Sequence, residues 1–223
     1  MGYKHHGVKS GGIPVEYIER FVSAYGIKYF IETGTAGGES VCAVATMFEK
    51  CHTIEVVSGR PSMTFPDNVS VHEGDSAKLI GEIANQYKEP IFFWLDAHWS
   101  EPHGSPDKTN ECPLLQEIEA IKKHQGSVIL IDDARLFYGR PPWPCDPSKG
   151  WPRFMHVFDK LRQCFPDHIV TIVDDYILCC PLEMRDVHNV EWYERYNERF
   201  PSDDDKLKQS VKETYKAFRK YIR

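Results

Sequence analysis

The chain has 223 residues, the length of one large domain or two small ones. Its 27 Lys and Arg against 33 Asp and Glu leave a formal charge of −6, which argues against a nucleic-acid-binding face. With 41% apolar and 27% charged residues it reads as an ordered globular protein. No apolar run approaches the ~20 residues a membrane span needs, so no membrane insertion is expected.

Seven cysteines are present, Cys42, Cys51, Cys112, Cys145, Cys164, Cys179 and Cys180. The number is odd, no Cys-x-x-Cys pair occurs, and several lie in apolar runs, so they read as buried free thiols in a reducing compartment. The first residues lack the apolar stretch of a signal peptide, and His6 stands where a myristoylation signal has Ser or Thr. Cytoplasmic is the default location.

In chain order, residues 27–32 (IKYFIE) predict a buried strand running into a Gly-rich turn. Residues 39–50 follow as a helix, with Val41, Val44, Ala45 and Phe48 on one face. Strands are predicted at 52–57 (HTIEVV) and 68–72 (NVSVH), then a helix at 76–87 with Ser76 as its cap. The continuous apolar runs 90–95 (PIFFWL) and 127–131 (SVILI) read as strands covered on both faces. Between them, 114–124 is an amphipathic helix with Leu115, Ile118 and Ile121 in register.

A helix at 154–165 precedes two β-rich runs, 168–173 and 176–180, split by Asp174 and Asp175, which predict a tight hairpin. The expected fold is therefore α/β: a Rossmann-like, doubly wound, mostly parallel seven-stranded sheet closed by an antiparallel C-terminal hairpin. One domain is expected, with an N-terminal arm or lid at 1–20 (Gly11 and Gly12 as a hinge), a core at 21–180 and a helical extension at 181–223. Residues 202–205 (SDDD) would cap the last helix, whose stripe is Leu207, Val211, Tyr215, Phe218 and Ile222. A docked helix and a partner-binding or dimerising helix both fit that pattern. Two long loops, 99–113 and 134–153, leave the carboxyl ends of central strands, where open α/β sheets bind ligands.

The segment Glu32-Thr-Gly34-Thr-Ala36-Gly-Gly38-Glu-Ser40 runs from strand to helix as an acid-x-Gly turn. Small residues let a ligand approach the backbone, and an acid at the opening disfavours a pyrophosphate. Glu55, at the end of the second strand, can accept both hydroxyls of a ribose, and Asp75 closes the third strand.

With these residues the chain resembles the class I S-adenosylmethionine-dependent methyltransferases from about residue 27 to 180. The resemblance implies that Glu32, Gly34 and Gly38 line the methionine part of S-adenosylmethionine, and Ser40 of the same turn is a further cofactor-binding candidate. Glu55 would hold the ribose, and Asp75 with Ser76 would sit near the adenine amine. Ala36 replaces a glycine often found in the turn.

The fourth strand ends Leu95-Asp96-Ala-His98-Trp99 and the fifth Ile131-Asp132-Asp133. Neighbouring parallel strands bring these ends together, and clustered carboxylates call for a hard divalent cation, Mg²⁺ first, with Mn²⁺ or Ca²⁺ also suited. Alternatively, one Asp caps the next helix and another pairs with Arg135 or Arg140. The pattern resembles the metal-dependent O-methyltransferases that modify sugars in macrolide and aminocoumarin biosynthesis, which implies Asp96, Asp132 and Asp133 as metal ligands. His98 stands where related enzymes also have an Asp, and the insert at 138–153 has no clear counterpart.

Asp96 and His98 are the expected catalytic pair, His98 accepting a proton from the acceptor hydroxyl. A loop histidine bonded to a backbone carbonyl is the alternative for His98. Trp99, Tyr138, Trp143 and Trp151 are candidate platforms for a sugar-like ring, or staples for the Pro-rich loop, and Arg135, Arg140 and Arg153 are candidate anion holders.

The expected function is Mg-assisted O-methylation of a hydroxylated small molecule such as a sugar. The expected partners are that acceptor, no nucleic acid and no membrane, with homo-oligomer formation left open. A metal-dependent hydroxylase-like enzyme on the same fold and a non-catalytic cofactor-binding or interaction module remain alternatives.

Overall fold

The apolar runs at 90–95 and 127–131 read as strands with both faces covered, and both are. In the computed structural model, β4 (Ile91–Leu95) and β5 (Val128–Ile131) are buried at every position. The structure describes residues 12–59, 61, 63–98, 110–139, 145–189, 202, 207 and 210. Two compact units divide the chain, 1–184 and 185–223. In the second, residues 185–189 are helical, and the expected C-terminal helix lies outside the described residues apart from Leu207 and Ser210.

The first unit adds β1 (Tyr29–Thr33), β2 (Lys50–Glu55), β3 (Val69–Glu73), β6 (His168–Val173) and β7 (Tyr176–Pro181). The sheet order is β3-β2-β1-β4-β5-β7-β6. Strands β1 to β5 are parallel, while β7 runs antiparallel to both β5 and β6, as the hairpin reading requires. Asp174 takes the left-handed conformation (φ 54°) that the tight turn needs. The sheet reverses its order between β1 and β4, the switch point at which open α/β sheets bind ligands.

Helices α1 (Val15–Tyr25), α2 (Glu39–Val44), α3 (Ser76–Ala84), α4 (Leu114–Ala120) and α5 (Phe154–Cys164) lie in the same unit. Tyr17, Ile18 and Phe21 of α1 are buried, so from Val15 onward the expected arm is core, and Gly11 lies outside the described residues. Tyr176 Oη donates to the Gly12 carbonyl at 2.9 Å, tying the chain's beginning to β7.

Helix α2 ends earlier than the pattern predicted. A 3-10 turn, Ala45–Met47, follows it, and the Asn68 amide donates to the carbonyls of Ala45 (2.8 Å) and Phe48 (2.9 Å). A side chain thus satisfies carbonyls that a longer helix would have bonded itself. Strand β2 sits two residues earlier than expected and ends at Glu55, whose carboxylate accepts the N–H of Val57 at 3.0 Å and turns the chain out of the sheet. Helices α3 and α4 are likewise shorter, closing in turns at Asn85–Tyr87 and Ile121–His124.

The core is aromatic on one side of the sheet, where Phe21, Phe30, Phe48 and Phe92 pack ring to ring. On the other side Ile31, Phe93, Ile129 and Ile177 meet α3, α4 and α5. All seven cysteines are free thiols, and burial pushes Cys51, Cys112 and Cys180 up to about 12, so they act as packing residues. Among the described residues no helix is long and apolar enough to cross a membrane.

Candidate active site at the carboxyl ends of the parallel strands

The Gly-rich turn is built from backbone that few side chains allow. Ala36 (φ 48°), Gly34 (φ 85°) and Gly38 (φ 101°) all lie in the left-handed region. A β-carbon at Gly38 would fall 2.7 Å from the Phe65 ring, so this ring packs directly on the turn where α2 begins. Glu55 accepts from Ala36 N at 2.9 Å with Oε2 and from Val57 N with Oε1. The expected ribose acid thus also clamps the turn.

Beneath the turn runs a buried chain of hydroxyls. Thr53 Oγ1 donates to Glu32 Oε2 at 2.5 Å and lies 2.6 Å from Thr35 Oγ1. Since Thr53 has one proton and gives it to Glu32, Thr35 is the donor in the second bond. Glu32 is fully buried, its Oε1 has no partner among the described residues, and burial pushes its carboxyl well above the ordinary range against the pull of Thr53. A buried acidic oxygen left over beside a glycine turn has room in its donor count for a polar group. Ser40 is half-buried in the first turn of α2.

Asp75 caps α3 by accepting from Ala77 N at 3.0 Å and pairs with Lys78 at 3.2 Å. Ser76 donates its hydroxyl to Oε1 of Glu117 at 2.5 Å. Glu117 is fully buried, its Oε2 has no partner among the described residues, and burial pushes it up to about 7. Ser76 therefore faces inward to α4, and Asp75 is the more open of the two.

The fourth and fifth strands bring the expected acids and imidazole together. His98 Nε2 lies 3.3 Å from Asp96 Oδ1 and 3.1 Å from Asp133 Oδ2. One ligand atom each from Asp96, His98 and Asp133 falls within 4.8 Å of the others. Ligand atoms around an octahedral ion with bonds of ~2.1 Å lie roughly 3–4.2 Å apart, so the Asp96 and Asp133 carboxylates are near enough to share one cation, with the imidazole as their neighbour. Asp132 does not converge with them: its Oδ1 accepts the N–H of Asp133 at 2.7 Å.

Burial pushes Asp96 up against the pull of His98, and burial with the Asp96 and Asp133 charges pushes Asp132 up to about 7. Asp133 goes the other way. Burial raises it, but hydrogen bonds from His98 and Arg135 outweigh that and hold it below the usual range.

Arg135 realises the pairing the sequence left open. Its guanidinium contacts Asp133 Oδ1 at 2.7 Å and also Asp175 of the hairpin turn. The Asp175 carbonyl accepts from Ala134 N at 2.7 Å and its Oδ1 from Arg135 N at 3.0 Å. The hairpin thereby holds the acid loop, with Asp133 itself at φ 55°. The Trp151 ring stands 5.7 Å from the His98 ring, while Trp99, Trp143 and Arg140 lie outside the described residues.

Sequence reasoning missed Thr53, Glu117 and Asp175. Each carried a signal: Thr53 is polar in a buried strand, and Glu117 shares the apolar face of Leu114, Ile118 and Ile121. Asp175 shows in the sequence only as a turn residue.

No family model matches the chain, and no curated protein matches it. Solved structures do. An O-methyltransferase from Bacillus cereus in complex with SAH aligns with TM-score 0.51 and 20% identity over 77% of this chain and 82% of that one. The O-methyltransferase TomG from Streptomyces achromogenes, involved in tomaymycin synthesis and in complex with SAM, aligns with TM-score 0.53 and 17% identity over 77% and 81%. The methyltransferase MycE of the mycinamycin biosynthetic pathway, in complex with Mg, SAH and mycinamycin VI, aligns with TM-score 0.52 and 14% identity over 74% of this chain and 48% of that one. The likeness is one of architecture, and with the strand order above it establishes that this chain has the fold of the class I S-adenosylmethionine-dependent methyltransferases.

Proposed function

We propose that the protein is an S-adenosylmethionine-dependent O-methyltransferase acting on a hydroxylated small molecule with the help of a divalent cation. The observation that carries this reading is the buried Glu32 Oε1, without a partner among the described residues, under a glycine turn whose Gly34 abuts the backbone of Asp96. The glycine turn and the acidic cluster thus lie edge to edge at the sheet's switch point, which supports reading the turn as the cofactor's. TomG with SAM and MycE with Mg and SAH support the choice of ligands.

Glu32, Gly34, Gly38 and Ser40 would hold the methionine part of the cofactor, Glu55 the ribose, and Asp75 with Ser76 the adenine end. S-adenosylmethionine supplies an electrophilic methyl group. Glu55 fixes the turn through Ala36 and Val57 before any ligand arrives, so the turn need not be ordered on binding. Asp96 and Asp133 would hold the cation, Mg²⁺ or Mn²⁺, with Asp132 beside them; the cation supplies a lowered pKa for an acceptor hydroxyl.

His98 would take that proton at Nδ1, because Asp133, kept ionised by Arg135, accepts the Nε2–H, holds the imidazole in place and stabilises its charged form. Sugar-like acceptors are the first to screen, on the sequence resemblance. Thermal melting tests the assignment: S-adenosylhomocysteine should raise the midpoint, and Mn²⁺ should add a second increment that Asp133→Asn removes while the first remains. No increment from either ligand contradicts it.

A further inference from the structure

The loop between β5 and α5 builds a second feature beside the acidic cluster. A cleft of about 710 Å³, within the ~300–1,000 Å³ of small-molecule sites, is lined by Phe137, Tyr138, Trp151, Arg153 and Phe154 among others. Tyr138 and Phe154 stack face to face, ring centroids 4.4 Å apart and planes 14° apart, yet Tyr138 is 62% exposed. Phe158 packs on Phe154 at 4.5 Å, so the exposed Tyr138 ring is the one that offers a flat apolar wall to a third ring. Arg153 is exposed, and among the described residues its guanidinium has no ion-pair or hydrogen-bond partner. A free guanidinium beside stacked rings matches a carboxylate or sulfonate on a planar ligand.

Trp151 forms the side of the cleft that faces the chemistry, between His98 and Phe137, with ring centroids 5.7 and 6.5 Å away. It is held there by Glu111, which is 7% exposed. Glu111 Oε2 accepts from Trp151 Nε1 at 3.0 Å and from Asp146 N at 2.8 Å, and Lys149 Nζ lies 3.4 Å from Oε1. The Glu111 N–H donates to the Lys149 carbonyl at 2.8 Å. Gly150 takes a left-handed conformation (φ 83°), and a β-carbon there would run into the Asn110 side chain. The segments 110–112 and 145–151 are thus clasped together, and the clasp presents the indole to the cleft.

We propose that this cleft binds a planar, apolar ring carrying an anionic group, and that Glu111 is the positioning residue that sets Trp151 as its inner wall. That the bound ring is the methyl acceptor rests on the methyltransferase reading; the binding itself does not.

Calorimetric titration of 2-naphthoate into the full chain tests it, with uncharged 2-naphthol, glucuronate and S-adenosylhomocysteine in parallel. One site for naphthoate is expected. Arg153→Gln should weaken naphthoate at least fivefold and leave naphthol within twofold, and Tyr138→Ala should weaken both. Glu111→Ala should weaken naphthoate similarly, with Glu111→Gln restoring it. No naphthoate binding, affinities indifferent to Arg153→Gln and Tyr138→Ala, or binding of glucuronate alone would overturn the proposal. Naphthoate binding without S-adenosylhomocysteine binding would sustain the cleft and remove its link to methyl transfer.

Discussion

Gly34 and Asp96 touch backbone to backbone: a β-carbon on Gly34 would lie 2.5 Å from the Asp96 carbonyl oxygen and 2.9 Å from its carbonyl carbon. The proposed cofactor turn and the first acid of the cluster therefore have one position relative to each other. Neither atom is the tip of a flexible side chain, and Gly34 has φ 85° besides.

Gly34→Ala should accordingly cost about 1–3 kcal/mol of stability through strain and push the exit of β4 outward. S-adenosylhomocysteine affinity should fall at least tenfold. Urea unfolding and calorimetry read the two effects separately. A variant with unchanged affinity would show that the contact does not set the cofactor site.

Thr53→Val removes the donor to Glu32 and the acceptor for Thr35 while keeping the shape of the side chain. It leaves a fully buried carboxyl with no partner, at an expected loss of about 1–3 kcal/mol. Denaturant unfolding measures the loss, and Thr53→Ser should restore most of it.

Glu117 gives a pH dependence whose sign can be worked out. Its carboxyl ionises near 4.5 ordinarily and is pushed up to about 7 by burial in the folded protein. A folded value raised above the unfolded one stabilises fully at low pH, and that contribution is lost as pH climbs from about 4.5 to about 7. Glu117→Gln, which keeps an acceptor for Ser76, should remove the loss. The variant should gain on the native protein through that window, by about 3 kcal/mol at its top, and run parallel above it. Chemical unfolding at pH 4.5, 6 and 8 tests this; a constant offset between the two proteins would contradict it.

His98 and Asp133 separate proton transfer from cation binding. His98→Gln should abolish turnover while Mn²⁺ affinity stays within about threefold, because the carboxylates hold the ion. Asp133→Asn should weaken Mn²⁺ at least tenfold. Electron paramagnetic resonance titration of Mn²⁺ reads both. Loss of Mn²⁺ binding in His98→Gln would make the imidazole a ligand and move the proton acceptor elsewhere.

Much of the fold was legible because its signals are local: apolar runs for β4 and β5, the hairpin at Asp174, and glycines where the turn needs left-handed backbone. The early end of α2 was not, since it depends on the amide of Asn68, 20 residues beyond Phe48. The gathering of Asp96, His98 and Asp133 followed from their places at the ends of adjacent strands. The retreat of Asp132 onto the N–H of Asp133 did not, because it reflects the left-handed backbone at Asp133 and the hold of Asp175 on the loop. The Glu111 clasp joins two loops 35–40 residues apart and left no periodic trace in the sequence.

The most direct measurement is calorimetric titration of S-adenosylhomocysteine into the purified full chain, with Mn²⁺ and then with EDTA. One site of micromolar affinity, retained in EDTA and weakened at least tenfold by Glu55→Ala, is the predicted result. Absence of binding to the wild-type chain under both conditions would contradict the methyltransferase assignment.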